Sequence, residues 1–179
     1  MTKVMIDPGH GGGDPGAITD PLTEKVLNLE LAEIISDKLE EAGFDVEMTR
    51  CSDEHLSLSA RYKMANKWGA DYFISVHHNS FATTTANGFE VLYYWQSGEG
   101  SGLANSLCNY VSRNFPHMRN RGMKPRKGLA VLRGTQMPAI LIEAGFMSST
   151  KDRRIALLDA STRRIFYSVI AEGVLHVLK

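Results

Sequence analysis

Cysteine is scarce in this 179-residue chain: only Cys51 and Cys108 occur, far apart and at no spacing that suits a metal site. Two such thiols build no disulfide framework, so both are expected as reduced thiols in the core. An excess of one charge is missing too, since 20 basic residues meet 20 acidic ones. That balance argues against a dedicated nucleic-acid binder and against an acidic solvating protein. No apolar run reaches the roughly 18 residues of a membrane span, so none is expected. The opening MTKVMID enters a strand pattern with no basic stretch followed by an apolar one, so synthesis in the cytoplasm without an export leader is expected. Repeats, low-complexity tracts and linkers are also absent, which leaves a single domain over residues 1–179. A chain of this size buries enough surface to fold without a staple, so a bound metal would serve chemistry rather than folding.

What is present is an alternation of short apolar runs and longer segments of helical period. Strands are expected at 3–7, 44–49, 71–77, 88–94, 128–132 and 138–143, each bounded by turn residues. The segment 24–42 sets Leu27, Leu31, Ile34, Ile35 and Leu39 on one side, and Gly43 stops it. Further helices are expected near 56–68, 102–114 and 160–178, the last turning Ile165, Val169, Ile170, Val174 and Leu175 inward. Strand and helix alternating over the first 80 residues imply right-handed βαβ units. The expected fold is therefore α/β, a six-stranded, largely parallel but mixed twisted sheet with helices on both faces. The short connections beyond residue 88 leave room for an antiparallel strand.

In open α/β sheets, ligands sit outside the carboxyl ends of the strands. His10 follows the first strand in VMIDPGHGGGDPGA, His77 and His78 end the third, and Glu143 ends the last in MPAILIEAGF. Glu24 opens the long helix. Two imidazoles and a carboxylate, with water in the fourth position, suit a catalytic zinc, whereas magnesium or calcium prefers oxygen ligands alone. Such a metal polarises a carbonyl and lowers the pKa of water from ~15.7 toward ~7. A second carboxylate off the metal then moves the proton to the leaving nitrogen, and Glu143 is the candidate.

Each residue also has a plainer reading. A glycine-rich turn after a strand is commonly a tight connection or an anion-binding helix start, although the Lys-Ser/Thr of a phosphate loop is missing here. Glu24 satisfies a helix dipole as a first-turn acid. Glu143 follows an apolar strand, where a structural ion pair would also explain it. His55, His117 and His176 lie in polar or helical contexts and receive no role.

Taken in order, DPGHGGGDPGA, EKVLNL, SVHHNS, NGFEVLYY, NRG and MPAILIEAGFMSS resemble the zinc-dependent N-acetylmuramoyl-L-alanine amidases of the amidase-3 family over the whole chain. The resemblance implies one zinc per chain and cleavage of the amide between muramic acid and the L-alanine of the peptidoglycan stem. It implies His10, Glu24 and His77 as metal ligands and Glu143 as the catalytic residue. Asn79, which closes the Ser-x-His-x-Asn pattern, orients that loop or touches substrate, and Arg121 in Asn-Arg-Gly is the candidate peptide contact. The family position after the second histidine is small, and here it is His78; successive strand residues point to opposite faces, so the pair cannot easily share one ion. Ser75, Arg61 and Asn66 also fall at family-like positions, where packing explains them equally well.

Between Arg113 and Arg133 lie seven basic residues and no acidic one. A solvated loop explains this, as does an anionic partner such as stem-peptide carboxylates, wall teichoic polymers or nucleic acid. The resemblance implies peptidoglycan as partner and action at the bacterial wall as a phage endolysin or an autolysin; a monomer is expected, with a wall-binding module absent from residues 1–179. The competing expectations are a zinc hydrolase on another amide, such as a carboxypeptidase or deacetylase, and a catalytically silent wall-binding module.

Overall fold

The computed structural model describes all 179 residues. Strand β1 (Lys3–Pro8) leads through the glycine-rich turn and a two-residue hairpin, β2 (Ile18–Thr19) and β3 (Leu22–Thr23), into helix α1 (Glu24–Glu41). Then come β4 (Asp45–Met48), α2 (Leu58–Trp68), β5 (Tyr72–Asn79), β6 (Phe89–Tyr94) and α3 (Gly98–Asn114). The chain finishes with β7 (Asn120–Arg126), α4 (Ala130–Gly134), β8 (Ala139–Phe146), the short α5 (Thr150–Asp152), a π-helical turn (Arg153–Leu157) and α6 (Ala160–Leu178).

Six strands form one sheet in the order β4-β1-β5-β8-β6-β7. Strands β4, β1, β5 and β8 are parallel, β6 runs antiparallel to β8, and β7 runs parallel to β6. The mixed α/β sheet expected from the sequence is therefore the observed one. From β1 the chain crosses to β4 on one side and returns through α2 to β5 on the other. The β1–β5 junction is thus a switch point of strand order, where open sheets place their ligands.

The two faces are packed unequally. On one, α1, α3 and α6 cover the sheet over a cluster of 29 buried residues, including Ile6, Leu31, Ile35, Val76, Ile142, Phe166 and Tyr167. On the other, α2 and α4 cover a cluster of 9, including Met5, Phe73, Leu92, Val131 and Leu141. The thick face supplies stability, and the thin face leaves the carboxyl ends of β1, β5 and β8 accessible.

Four expectations need correction. Residues 128–132 are not a strand; GLAVL leads into helix α4, whose Val131 and Leu132 are buried against the thin face. The sixth strand is instead β7, an edge strand of sequence NRGMKPR. Ile165, expected inward on α6, is 60% exposed, and Cys51, expected in the core, is exposed while Cys108 is buried. The strands β5 and β8 also run past His77 and Glu143, to Asn79 and Phe146, so neither residue ends its strand.

Candidate metal centre and active site

The turn after β1 is tight because it must be. His10 adopts a left-handed backbone, φ 61°, a conformation that strains a residue with a side chain and persists only when neighbours hold it. Here Arg61 of α2 holds it, donating from Nη2 to the His10 carbonyl at 2.7 Å and from Nη1 to Asp7 Oδ1 at 2.8 Å and to the Pro8 carbonyl at 2.6 Å. Arg50 adds bonds to the Pro8 and Gly9 carbonyls at 3.0 and 2.9 Å. Gly9 must lack a side chain, since a Cβ there would overlap the His77 ring.

Three of the predicted residues converge. His10, Glu24 and His77 each offer a ligand atom, and these atoms lie within 4.8 Å of one another. One oxygen is the focus: Glu24 Oε1 lies 3.1 Å from His10 Nε2 and 3.0 Å from His77 Nδ1. Glu24 Oε2 accepts the Ala17 N–H at 2.8 Å, and His10 Nδ1 meets Asp14 Oδ2 at 2.9 Å. Burial alone would push the Glu24 carboxyl up, but hydrogen bonds from His10 and then His77 outweigh it and hold the group well below the usual carboxylate range. The hydrogen bond to Glu24 raises His10, against the opposing effect of burial, to about 8. Two imidazoles and one carboxylate at this separation fit a zinc ion better than a hard cation. The Asp14–His10 contact is the carboxylate–imidazole arrangement that fixes which ring nitrogen faces a metal.

His78 does not join them. It is 1% exposed, with Nδ1 2.8 Å from Asn28 Oδ1 and Nε2 2.7 Å from the Tyr167 hydroxyl, and burial pushes its pKa down to about 3. The pleat thus sends consecutive histidines to opposite faces, and the structure brings His77 to the cluster.

Glu143 is the register partner of His77 on β8, and Glu90 of β6 is the register partner of Glu143. A row of ionisable side chains therefore crosses β5, β8 and β6 on the thin face. Glu143 Oε2 is buried without a hydrogen-bond partner. Burial, followed by the charges of Glu24 and Glu90, raises the Glu143 carboxyl well above its ordinary value. An unpaired carboxyl with high proton affinity beside a metal-type cluster is suited to taking and returning a proton. Beside His10 and His77 a cavity of about 130 Å³ opens between Asp7, Asp14, His55, Leu56, Ser57, Leu58, Arg61 and Val131.

The other two predicted residues meet elsewhere in the row. Asn79 Nδ2 donates to Glu90 Oε1 at 3.1 Å, and Arg121 Nε donates to Glu90 Oε2 at 2.7 Å, with its guanidinium 4.9 Å above the Phe146 ring centre. Sequence reasoning missed Glu90, which is 3% exposed. Its signal was an acid inside the apolar strand run GFEVLYY, where an unpaired charge is costly. Reasoning also missed Asp7, buried between Arg61, Thr49 and Ser75 at 2.7 to 2.8 Å, which anchors the end of β1.

A family model described as N-acetylmuramoyl-L-alanine amidase matches residues 4–176. The N-acetylmuramoyl-L-alanine amidase CwlM of Bacillus licheniformis is 40% identical over 154 residues, 85% of this chain and 59% of its own length. A sporulation-specific N-acetylmuramoyl-L-alanine amidase of Bacillus subtilis (strain 168) is 39% identical over 154 residues, again 85% of this chain and 59% of its own. The chain thus spans about three fifths of these curated relatives. Among solved structures, the N-acetylmuramoyl-L-alanine amidase AmiC2 of Nostoc punctiforme superposes with a TM-score of 0.91 at 34% identity, covering 99% of this chain and 97% of that one.

Proposed function

The chain belongs to the N-acetylmuramoyl-L-alanine amidase family, and on that footing we propose that it hydrolyses the amide between N-acetylmuramic acid and the L-alanine of the peptidoglycan stem, acting at the bacterial cell wall. The observation that carries the reading is the row His77–Glu143 next to His10 and Glu24: a metal-type donor set with an acid one strand away whose Oε2 is buried without a partner. We read His10 Nε2, Glu24 and His77 Nδ1 as the ligands of one zinc ion. When bound, zinc supplies Lewis acidity, polarising an amide carbonyl and making water acidic enough to attack at neutral pH.

The remaining work falls to the chain's own groups. Glu143 takes the proton of the attacking water and delivers it to the leaving nitrogen of L-alanine, which otherwise departs as a strongly basic amide anion. Its high proton affinity serves the delivery, and its closeness to the ligand set serves the uptake. Asp14 keeps the His10 proton on Nδ1, so that Nε2 presents a lone pair. Glu90 holds Asn79 and Arg121 in place, and the Arg121 Nη groups remain for a carbonyl or carboxylate of the stem.

The direct test digests purified peptidoglycan with zinc-loaded and chelated protein. Chelator-sensitive appearance of N-terminal alanine without new reducing sugar ends is the expected result. Reducing ends without alanine termini would identify a glycosidase and overturn the proposal, and an intact wall would assign the site to another amide or to a silent module.

A further inference from the structure

We propose that the outward face of β7, carried by Lys124 and Arg126, binds the free carboxylates of the stem peptide whose muramoyl amide lies at Glu143. This rests on the amidase reading above and adds to it the part of the substrate beyond the scissile bond. The register of β6 and β7 pairs Glu90 with Gly122, Leu92 with Lys124 and Tyr94 with Arg126. Paired residues share a face, so Lys124 and Arg126 lie on the side of Glu90, Leu92 and Glu143. The helix that packs on β7 is α3, on the opposite face, and α2 and α4 lie over the other strands of the thin face. As the edge strand, β7 therefore borders the site, with Lys124 half-buried and Arg126 exposed.

These two cations are unspent. Lys124 takes part in none of the fold's ion pairs, and the side-chain hydrogen bond of Arg126 is one from Nη1 to the neighbouring Pro125 carbonyl at 3.1 Å. By contrast Arg121 is fixed on Glu90, and Lys127 sits 4.6 Å above the Trp95 ring. No acidic residue lies between Arg113 and Arg133 to neutralise them. The charge of Arg126 also reaches the Glu143 carboxyl, which places it within electrostatic range of the scissile bond.

Spacing agrees with the occupant. Lys124 and Arg126 stand two and four residues along β7 from Gly122, which is level with Glu90 and hence with Glu143 two strands over, so about 7 and 13 Å further along the strand direction. An extended peptide advances at about the same rate per residue, so carboxylates on the residues following L-alanine fall opposite these cations. Charges and a proline on an edge strand also keep it from pairing with other chains. That protective role is indifferent to what the stem carries, which is what the experiment exploits.

Two soluble muramoyl-peptides are compared, one with free stem carboxylates and one with the same groups as carboxamides, using zinc-loaded wild type, the Lys124→Ala/Arg126→Ala double variant and an Arg113→Ala control on α3. The double variant should lose about tenfold in kcat/KM on the free-acid stem, chiefly through KM, the scale of lost charge-assisted hydrogen bonds. Its rate on the carboxamide stem should match wild type, and the control should match wild type on both. Equal losses on both stems, or no loss on either, overturn the inference while leaving the amidase reading intact. A loss seen only on walls that carry teichoic polymer assigns the surface to phosphate and overturns it as well. Failure of the wild type to cleave either stem overturns the amidase reading and this inference together.

Discussion

The Nε2 of His78 and the hydroxyl of Tyr167 stand 2.7 Å apart on the thick face of the sheet, while the ring of the preceding residue, His77, meets Glu24 at the metal-type cluster. One peptide bond thus separates a core histidine from a site histidine. Tyr167 and Asn28 together occupy both nitrogens of the His78 ring. Replacing the ring by alanine removes its packing and strands two buried polar partners, so His78→Ala should cost about 2–4 kcal/mol in denaturant unfolding. Zinc stoichiometry should be retained. Loss of zinc with unchanged stability would reverse the roles of the two histidines.

The same residue carries a pH signature. Burial lowers the native pKa of His78 to about 3, whereas the unfolded chain takes up the proton near 6.5. Between those values the unfolded state binds more protons, so the contribution is complete above about pH 6.5 and is lost as pH falls toward 3. In metal-free protein the stability advantage of wild type over His78→Gln should therefore shrink on acidification. A constant advantage across that window would sink the argument.

At His10 the sign is opposite. The Glu24 hydrogen bond raises its pKa to about 8 in the metal-free chain, so near neutrality the ring is mostly protonated and must lose that proton to ligate a metal. Zinc binding at about pH 7 should release about one proton per ion and weaken as pH falls further. Calorimetry in two buffers of different ionisation enthalpy reads this directly. A buffer-independent heat would show that His10 is not a ligand.

In the proposed mechanism Glu143 trades stability for chemistry. Its carboxyl is raised by burial and then by the Glu24 and Glu90 charges, so its ionised form destabilises the native state as pH rises above the unfolded value of about 4.5. Glu143→Gln removes that charge with nearly the same shape. The variant should keep zinc, unfold at higher denaturant by about 1 kcal/mol at neutral pH, and lose about 10²-fold or more in kcat. Activity near wild type would remove the proton-transfer role.

What the sequence revealed and what it hid follow from the physics of each element. The helix at α1 was legible because Leu27, Leu31, Ile35 and Leu39 repeat at helical spacing and are all buried. His10, Glu24, His77 and Glu143 were legible through ordered motifs, not through spacing, because the residues meet only when the start of α1 and the strands β1, β5 and β8 come together. The edge strand β7 was hidden because NRGMKPR carries no apolar alternation: it lies at the edge of the sheet against α3 and none of its residues is fully buried. Residues 128–132 misled for the reverse reason, since a short apolar run reads alike as a buried strand or a helical turn. Ile165 fits the helical period of α6 yet lies exposed, and nothing in the fold explains its choice.

The strained His10 is kept in place by Arg61. Its left-handed backbone costs about 1–2 kcal/mol relative to an ordinary conformation, and the Arg61 fork offsets this by joining three acceptors, Asp7 and the carbonyls of Pro8 and His10. A lysine keeps a charge for buried Asp7 but cannot span the same three acceptors. Arg61→Lys should therefore fold yet bind zinc about 10–100-fold more weakly, the usual penalty for disturbing the groups that orient a ligand. Arg61→Ala leaves Asp7 buried without its cation, and about 3–5 kcal/mol of stability should go with it. Equilibrium zinc titration and denaturant unfolding, run on both variants, separate the two effects. If lysine restores wild-type zinc affinity, charge alone suffices at this position and the fork geometry does not position His10.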